Sequence, residues 1–234
     1  MLKKMNFAVI GDIHSDSRKL FLALDYCREN NLTPILLGDI FDSRITFSDS
    51  VGVYQLIKDY QSTNTLFCLH SNHLDKLQRY LIGNNVIINN GLEKTIEDFK
   101  RSSISSEELL SFIVKLPYGI AFKSSKGIEY RCAHAYFPTS LEINLDQTYY
   151  LVRTVTKKDK NKFLYGPIRK ENNQRIEWWN QVQDKTWIRV AGHYHQILEN
   201  KNTNSLVLDG SCGSSEENGC LPLYDVDNEI LLTF

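Results

Sequence analysis

Apolar and polar positions along the chain fall into two rhythms. In the first half, short apolar runs alternate with longer amphipathic stretches. Residues 6–10 (NFAVI) form a β-branched and aromatic run, and residues 17–31 follow with Leu20, Ala23, Leu24 and Cys27 at helical spacing and Ser17 placed as N-cap. Residues 34–37 then predict a second strand, 48–61 a second helix and 65–69 a third strand. Strand, helix, strand, helix, strand implies parallel pairing through crossover helices, hence an α/β sheet. Past residue 115 the strand candidates crowd together, at 118–122, 128–133, 187–191, 205–209, 221–226 and 229–234. That half predicts a more antiparallel sheet, interrupted by a polar segment at 157–173 that reads as an exposed insertion loop.

Length and composition narrow the picture. The chain has 234 residues, 42% of them hydrophobic, enough for a sizeable core, and one domain over residues 1–234 is the expectation. Lys and Arg total 27 against 28 Asp and Glu, so no global basic field calls for nucleic acid, although none excludes it. The five cysteines show no CxxC spacing and read as reduced, cytoplasmic thiols. The opening MLKKMNFAVIGD runs into Gly-Asp rather than a small-residue cleavage site, so it predicts a first strand and not a signal peptide. No stretch approaches the length of about 20 apolar residues that a membrane span needs.

The chemistry gathers where strands end. In an open α/β sheet, ligands collect at the carboxyl ends of the strands. Asp12 and His14 follow the first strand, Asp39 and Asp42 the second, Asn72 and His73 the third; His134 follows the run at 128–133, and His193 and His195 the run at 187–191. Of six histidines, only His70 falls outside such an exit. A lone Asp at a strand end is usually a helix cap, and a lone His usually a structural hydrogen-bonder. Capping does not ask for histidine, however, so five junctions carrying His, Asp or Asn together point to metal. Asp12, His14, Asp39, Asn72, His134, His193 and His195 are too many ligands for one tetrahedral zinc and suit two ions sharing a carboxylate. Two ions about 3.5–4 Å apart can hold both an attacking hydroxide and a phosphoryl oxygen. Imidazole with carboxylate points to Mn, Fe, Zn, Co or Ni rather than Mg or Ca, and Mn is the expected pair.

In order, GDIHSD, GDIFD, SNH, AHA and GHYH span residues 11–195 and resemble the calcineurin-like metallophosphoesterases. The C-terminal part is similar to bacterial protein-phosphatase-like members, which include the phosphatase domain of polynucleotide kinase-phosphatase and symmetrical diadenosine tetraphosphate hydrolases. The resemblance implies a four-layer α/β/β/α sandwich of two mixed sheets flanked by helices. It implies that Asp12, His14 and His195 hold one metal, that Asp39 bridges, and that Asn72, His134 and His193 hold the other. His73 would be the general acid and Asp42 the group that orients and charges it.

The sequence also departs from the family pattern. Ser71 stands where Gly usually precedes Asn-His, which asks a tight turn to accommodate a side chain. The arginines that clamp phosphate in protein-phosphatase-like members are displaced or replaced, leaving Arg44 and His70 as the substrate-binding candidates. The leading expectation is a phosphatase acting on phosphomonoesters of a small molecule, nucleotide or phosphoprotein. A phosphodiesterase or dinucleoside polyphosphate hydrolase with the same metals is the alternative, and a non-catalytic scaffold on this fold is a third reading.

Overall fold

The structure, a computed structural model, describes residues 5–145, 147–169, 171–182 and 186–234. Two mixed sheets are stacked face to face. The first has the order β11-β10-β1-β2-β3, built from β1 (Asn6–Ile10), β2 (Leu32–Leu36), β3 (Phe67–Cys68), β10 (Pro222–Asp225) and β11 (Ile230–Thr233). The second runs β6-β4-β5-β7-β9-β8, from β4 (Gly119–Lys123), β5 (Glu129–Ala133), β6 (Tyr149–Val152), β7 (Ile188–Ala191), β8 (Ile197–Asn200) and β9 (Ser205–Leu208).

Alternation along each strand sorts side chains between layers. From β1, Phe7 and Val9 point into the space between the sheets and meet Ile120, Phe122, Tyr130, Cys132, Val190 and Leu206 of the second sheet. Ala8 and Ile10 point the other way, under the helices α1 (Ser17–Glu29), α2 (Ser50–Thr63), α4 (Leu92–Arg101) and α5 (Ser106–Ile113). Because both faces of β1 are covered, its sequence reads as a continuous apolar run. On the far side of the second sheet, Ala133 and Val152 pack on Phe137 and Phe163, the latter from α6 (Lys157–Tyr165). The result is the α/β/β/α sandwich.

Three expectations change. Past residue 115 the second sheet is mixed rather than mainly antiparallel, since β5 pairs with β7 and β7 with β9 in parallel, and the last two strands return to the first sheet beside β1. Residues 157–173 are not simply a loop. They are largely exposed, but α6 buries Phe163 and Leu164 completely, two apolar residues that suffice to dock an otherwise charged helix; Lys170 lies outside the described residues. The cap of α1 is Asp16, whose carboxylate accepts from Lys19 N, while Ser17 Oγ donates to Asp49 at 2.6 Å. Among the described residues no helix is long and apolar enough to cross a membrane.

Candidate metal centre

Three parallel strands from each sheet end over one crevice. β1, β2 and β3 deliver Asp12, His14, Asp39, Asp42, Asn72 and His73, while β5 and β7 deliver His134, His193 and His195. The exits are tight turns. His14, Asp39, Asp42, His193 and His195 all hold positive φ, from 40° to 71°, a conformation that costs most side chains and clusters at functional sites. Main-chain bonds fix these turns against one another. Ile13 N and His14 N both donate to Asp39 O, at 3.1 and 2.8 Å, and Gly192 N donates to His134 O at 2.8 Å. A methyl group on Gly192 would collide with the Asp12 carboxylate, so glycine there lets the acid of one sheet reach the backbone of the other. Asp12 Oδ2 accepts from His193 N at 2.9 Å across that gap.

The side chains converge on Asp39. Its Oδ2 lies 3.4 Å from His134 Nε2, 3.8 Å from His14 Nε2 and 3.9 Å from His73 Nε2. His134 Nε2 is also 2.6 Å from Asn72 Oδ1 and 3.0 Å from His193 Nδ1. One nitrogen cannot satisfy two acceptors with one proton, so this packing of lone-pair donors asks for a cation. His14 Nδ1 sits 3.2 Å from both Phe41 O and Asp42 O; donation to these carbonyls leaves Nε2 as a free lone pair facing Asp39. Buried Asp12 Oδ1, His134 Nδ1 and His193 Nε2 have no hydrogen-bond partner among the described residues.

Electrostatics point the same way. Burial lowers the pKa of His14, lowers that of His134 to about 4, and holds His193 well below its ordinary value with His134 adding to the effect. Neutral imidazole is the ligating form. Burial raises the Asp12 pKa, reinforced by the charges of Asp209 and Asp39, as expected of a carboxylate short of a counter-ion. The donor set fits two divalent ions, and tight groups of possible ligands form around Asp39: His14 with His73, and His134 with His193.

His73 differs from the other histidines. Its Nδ1 is 2.7 Å from Asp42 Oδ2. Burial alone would lower its pKa, but the charge of Asp39 and the hydrogen bond to Asp42 outweigh burial and hold the imidazole above its usual value. Asn72 and His73 open α3 (Asn72–Leu81). Ser71, in the position where a glycine was expected, keeps an extended φ of −136° and caps α3 through Leu74 N, so its side chain is accommodated without strain.

Other sequence candidates fall elsewhere. His70 is not available to a substrate: it is buried, its ring nitrogens lie 3.1 Å from Ser71 O and from Gln78 Oε1, and its ring stacks on Tyr118. Arg44 is exposed at the mouth, close enough for its charge to oppose protonation of His73. His195 stands apart from the converging group, 47% exposed, with Nδ1 3.4 Å from Ser211 Oγ and 3.6 Å from Asp209 Oδ2. Asp209 was missed by sequence reasoning. It is buried at the exit of β9 and accepts from His195 N at 2.6 Å and Ser211 N at 2.9 Å. The signal was available, since Leu-Asp-Gly after an apolar run repeats the Asp-at-strand-end pattern of the other exits.

The sequence profile of the calcineurin-like phosphoesterases matches residues 5–229. The chain belongs to this family. As a calcineurin-like phosphoesterase it is a hydrolase of phosphoester bonds, in a family that works with a dinuclear divalent metal centre. Among curated relatives it is 26% identical over 226 residues to the asymmetrical bis(5'-nucleosyl)-tetraphosphatase PrpE of Oceanobacillus iheyensis, covering 89% of this chain and 84% of the relative. Identity to PrpE of Halalkalibacterium halodurans is 28% over 211 residues, 81% of this chain and 78% of that one. The fold superposes on a candidate diadenosine tetraphosphatase with a TM-score of 0.60 at 16% identity, covering 100% of this phosphoesterase and 94% of that protein. It also superposes on the cold-active protein-tyrosine phosphatase of a Shewanella species, with a TM-score of 0.53 at 14% identity over 98% and 80% of the two chains.

Proposed function

We propose that this phosphoesterase hydrolyses phosphomonoesters at a dinuclear centre in which Asp12, His14 and His195 hold one ion, Asp39 bridges, and Asn72, His134 and His193 hold the other. Mn is the proposed metal, with Fe, Zn, Co or Ni as alternatives suited to the same donors. When bound, such ions polarise a phosphoryl oxygen and acidify water. The chain's own residues supply the rest. Asp42 accepts the Nδ1 proton of His73, which leaves the transferable proton on Nε2, the nitrogen turned toward Asp39. An alkoxide leaves poorly without a proton, so an imidazolium held by a buried carboxylate is the group an ester hydrolase needs. The 2.7 Å His73–Asp42 pair is the observation that carries this reading, because a scaffold has no use for a buried acid beside a ligand cluster. Arg44 is the proposed substrate contact at the mouth. A single domain in a reducing cytoplasm accords with five unpaired cysteines, four of them buried.

The test is turnover by the Mn-loaded protein of p-nitrophenyl phosphate against bis-p-nitrophenyl phosphate. The monoester should be the better substrate, and no metal-dependent turnover of either would sink the proposal. A second reading, hydrolysis of dinucleoside polyphosphates, is favoured by the names of the relatives, and chromatography of products from diadenosine tetraphosphate tests it.

A further inference from the structure

The flank of the sandwich formed by β3 and β6 stays open. β3 is two residues long and is the edge of the first sheet, and β6 is the edge of the second. Between these edges, α2 and α5 lies a cleft of about 460 Å³. Tyr149, Leu151 and Arg153 alternate along β6 and just past its end, so they share the face that lines it. The floor is aromatic. The Phe67 and Tyr149 rings meet with centroids 4.7 Å apart, and Phe112 meets Tyr54 edge-on at 5.2 Å. Phe67, Phe112 and Tyr149 are only part-buried, which leaves ring surface facing the cleft. The rim is cationic. Lys58, Lys115 and Arg153 line it and are exposed. Neither ammonium group has a hydrogen bond or ion pair to any described residue. Arg153 commits only Nη1, to Lys115 O at 2.8 Å, a bond that ties the end of α5 to β6. Glu108, the one acid lining the cleft among the described residues, already accepts from the Tyr54 hydroxyl at 2.8 Å. Three cations against one acid make a locally positive site in a chain whose net charge is −1. None of the metal-centre residues lines it, and Leu69, His70 and Ser71 separate Cys68 on its wall from Asn72.

A concave apolar floor with a few convergent charges is the form of a small-molecule site, and its volume falls low in the usual range of roughly 300–1,000 Å³. That is room for a base, a sugar and one phosphate rather than for a folded partner. Exposed aromatic faces accept a planar base, and several cations together suit a phosphate dianion better than a carboxylate. We propose that this cleft is a second ligand site, apart from the metal centre, that binds a nucleoside monophosphate. The base lies on the Phe67, Phe112 and Tyr149 rings, and the phosphate meets Lys58, Lys115 and Arg153. The site does not depend on which ester the centre cleaves.

The probe is adenosine 5'-methylenephosphonate, an isostere of the monophosphate whose phosphorus–carbon bond a phosphoesterase does not cleave. Calorimetric titration compares full-length wild type with the double variant Lys115→Gln/Arg153→Gln, each metal-loaded and again in chelator. One binding event should survive chelation in wild type. In the double variant its affinity should fall at least about tenfold, because two charge-assisted contacts are gone. Both substituted residues are exposed, so the melting temperature should hold within about 2 °C, and kcat and KM for p-nitrophenyl phosphate within about twofold. Adenosine and ribose 5-phosphate, titrated in chelator, should each bind about tenfold more weakly than the probe, since each offers half of the recognised chemistry. Binding that vanishes with the metal would put the probe on the ions and overturn the proposal, as would equal affinity of wild type and double variant in chelator. Ribose 5-phosphate binding as tightly as the probe would remove the rings from the site and refute it. Sedimentation of wild type as a dimer and of the double variant as a monomer would assign this face to a second copy of the chain, and also overturns it. Should chelation unfold the protein, the metal-loaded titration decides: one more binding event in wild type than in the double variant is expected, and equal stoichiometry and affinity refute the site.

Discussion

Asp39 and Asp42 are three residues apart, both buried and both at positive φ, yet they face different partners. Asp39 is surrounded by three imidazole nitrogens within 3.4–3.9 Å, and Asp42 is bonded to one imidazole at 2.7 Å. Replacing Asp39 with Asn should therefore cost metal and activity together, whereas Asp42→Asn should keep metal and lose rate. Elemental analysis of the two proteins separates the roles, and equal metal content with full activity in both would undo the assignment. His73→Ala should leave metal content near normal and slow turnover by about 10²–10⁴, the usual size of acid catalysis. The loss should shrink on aryl esters, whose leaving groups need no proton; equal, small losses on alkyl and aryl phosphates would remove His73 from the chemistry. The sequence told most at this scale because His, Asp and Asn at strand exits are chemically unusual. It misled at His70, where standing in the place of a family arginine could not reveal that Gln78, one turn into α3 and beyond, would occupy the ring.

Elements were legible where both faces of a strand or one stripe of a helix are buried. β1, β2, α1 and α2 have such patterns and appear close to their expected limits. β6 and β8 lie at the two edges of the second sheet, and their half-exposed residues carry no clear alternation to read. α6 was obscured for a related reason: a helix docked through only Phe163 and Leu164 looks like polar loop. Its carbonyl at Phe163 accepts from Ala135 N at 2.8 Å, directly after His134, so the helix braces one wall of the centre. Phe163 is fully buried against Phe137 and Val152. Phe163→Ala should cost about 3–5 kcal/mol, the usual range for deleting a buried ring. Denaturant unfolding measures it, and a loss below about 1 kcal/mol would mean that α6 is not docked as described.

At the scale of the whole molecule, the first sheet depends on the end of the chain. β10 pairs along Ala8–Ile10 of β1, and Phe7 O accepts from Val226 N at 3.1 Å. A protein truncated after Gly210 would leave β1 as a bare edge, apolar from Phe7 to Ile10, the form that invites pairing with another chain. Such a truncation should be recovered as aggregate rather than as a monomer of reduced activity; size-exclusion chromatography gives the answer, and a soluble monomer would show that the strand is dispensable. The overall sandwich was only partly legible for the same reason, since nothing local in residues 221–234 says to which sheet they return.

The centre lies on the seam between two sheets made by different stretches of chain, and this has a consequence for how the protein comes into being. The first-sheet residues, from Asp12 to His73, are synthesised well before His134, His193 and His195 exist, and β10 and β11, which complete the first sheet, follow those histidines. A ribosome-bound fragment carrying only the early residues has the acids without most of their imidazoles. Competence for hydrolysis thus waits until both stretches of chain have been made and have paired into their sheets.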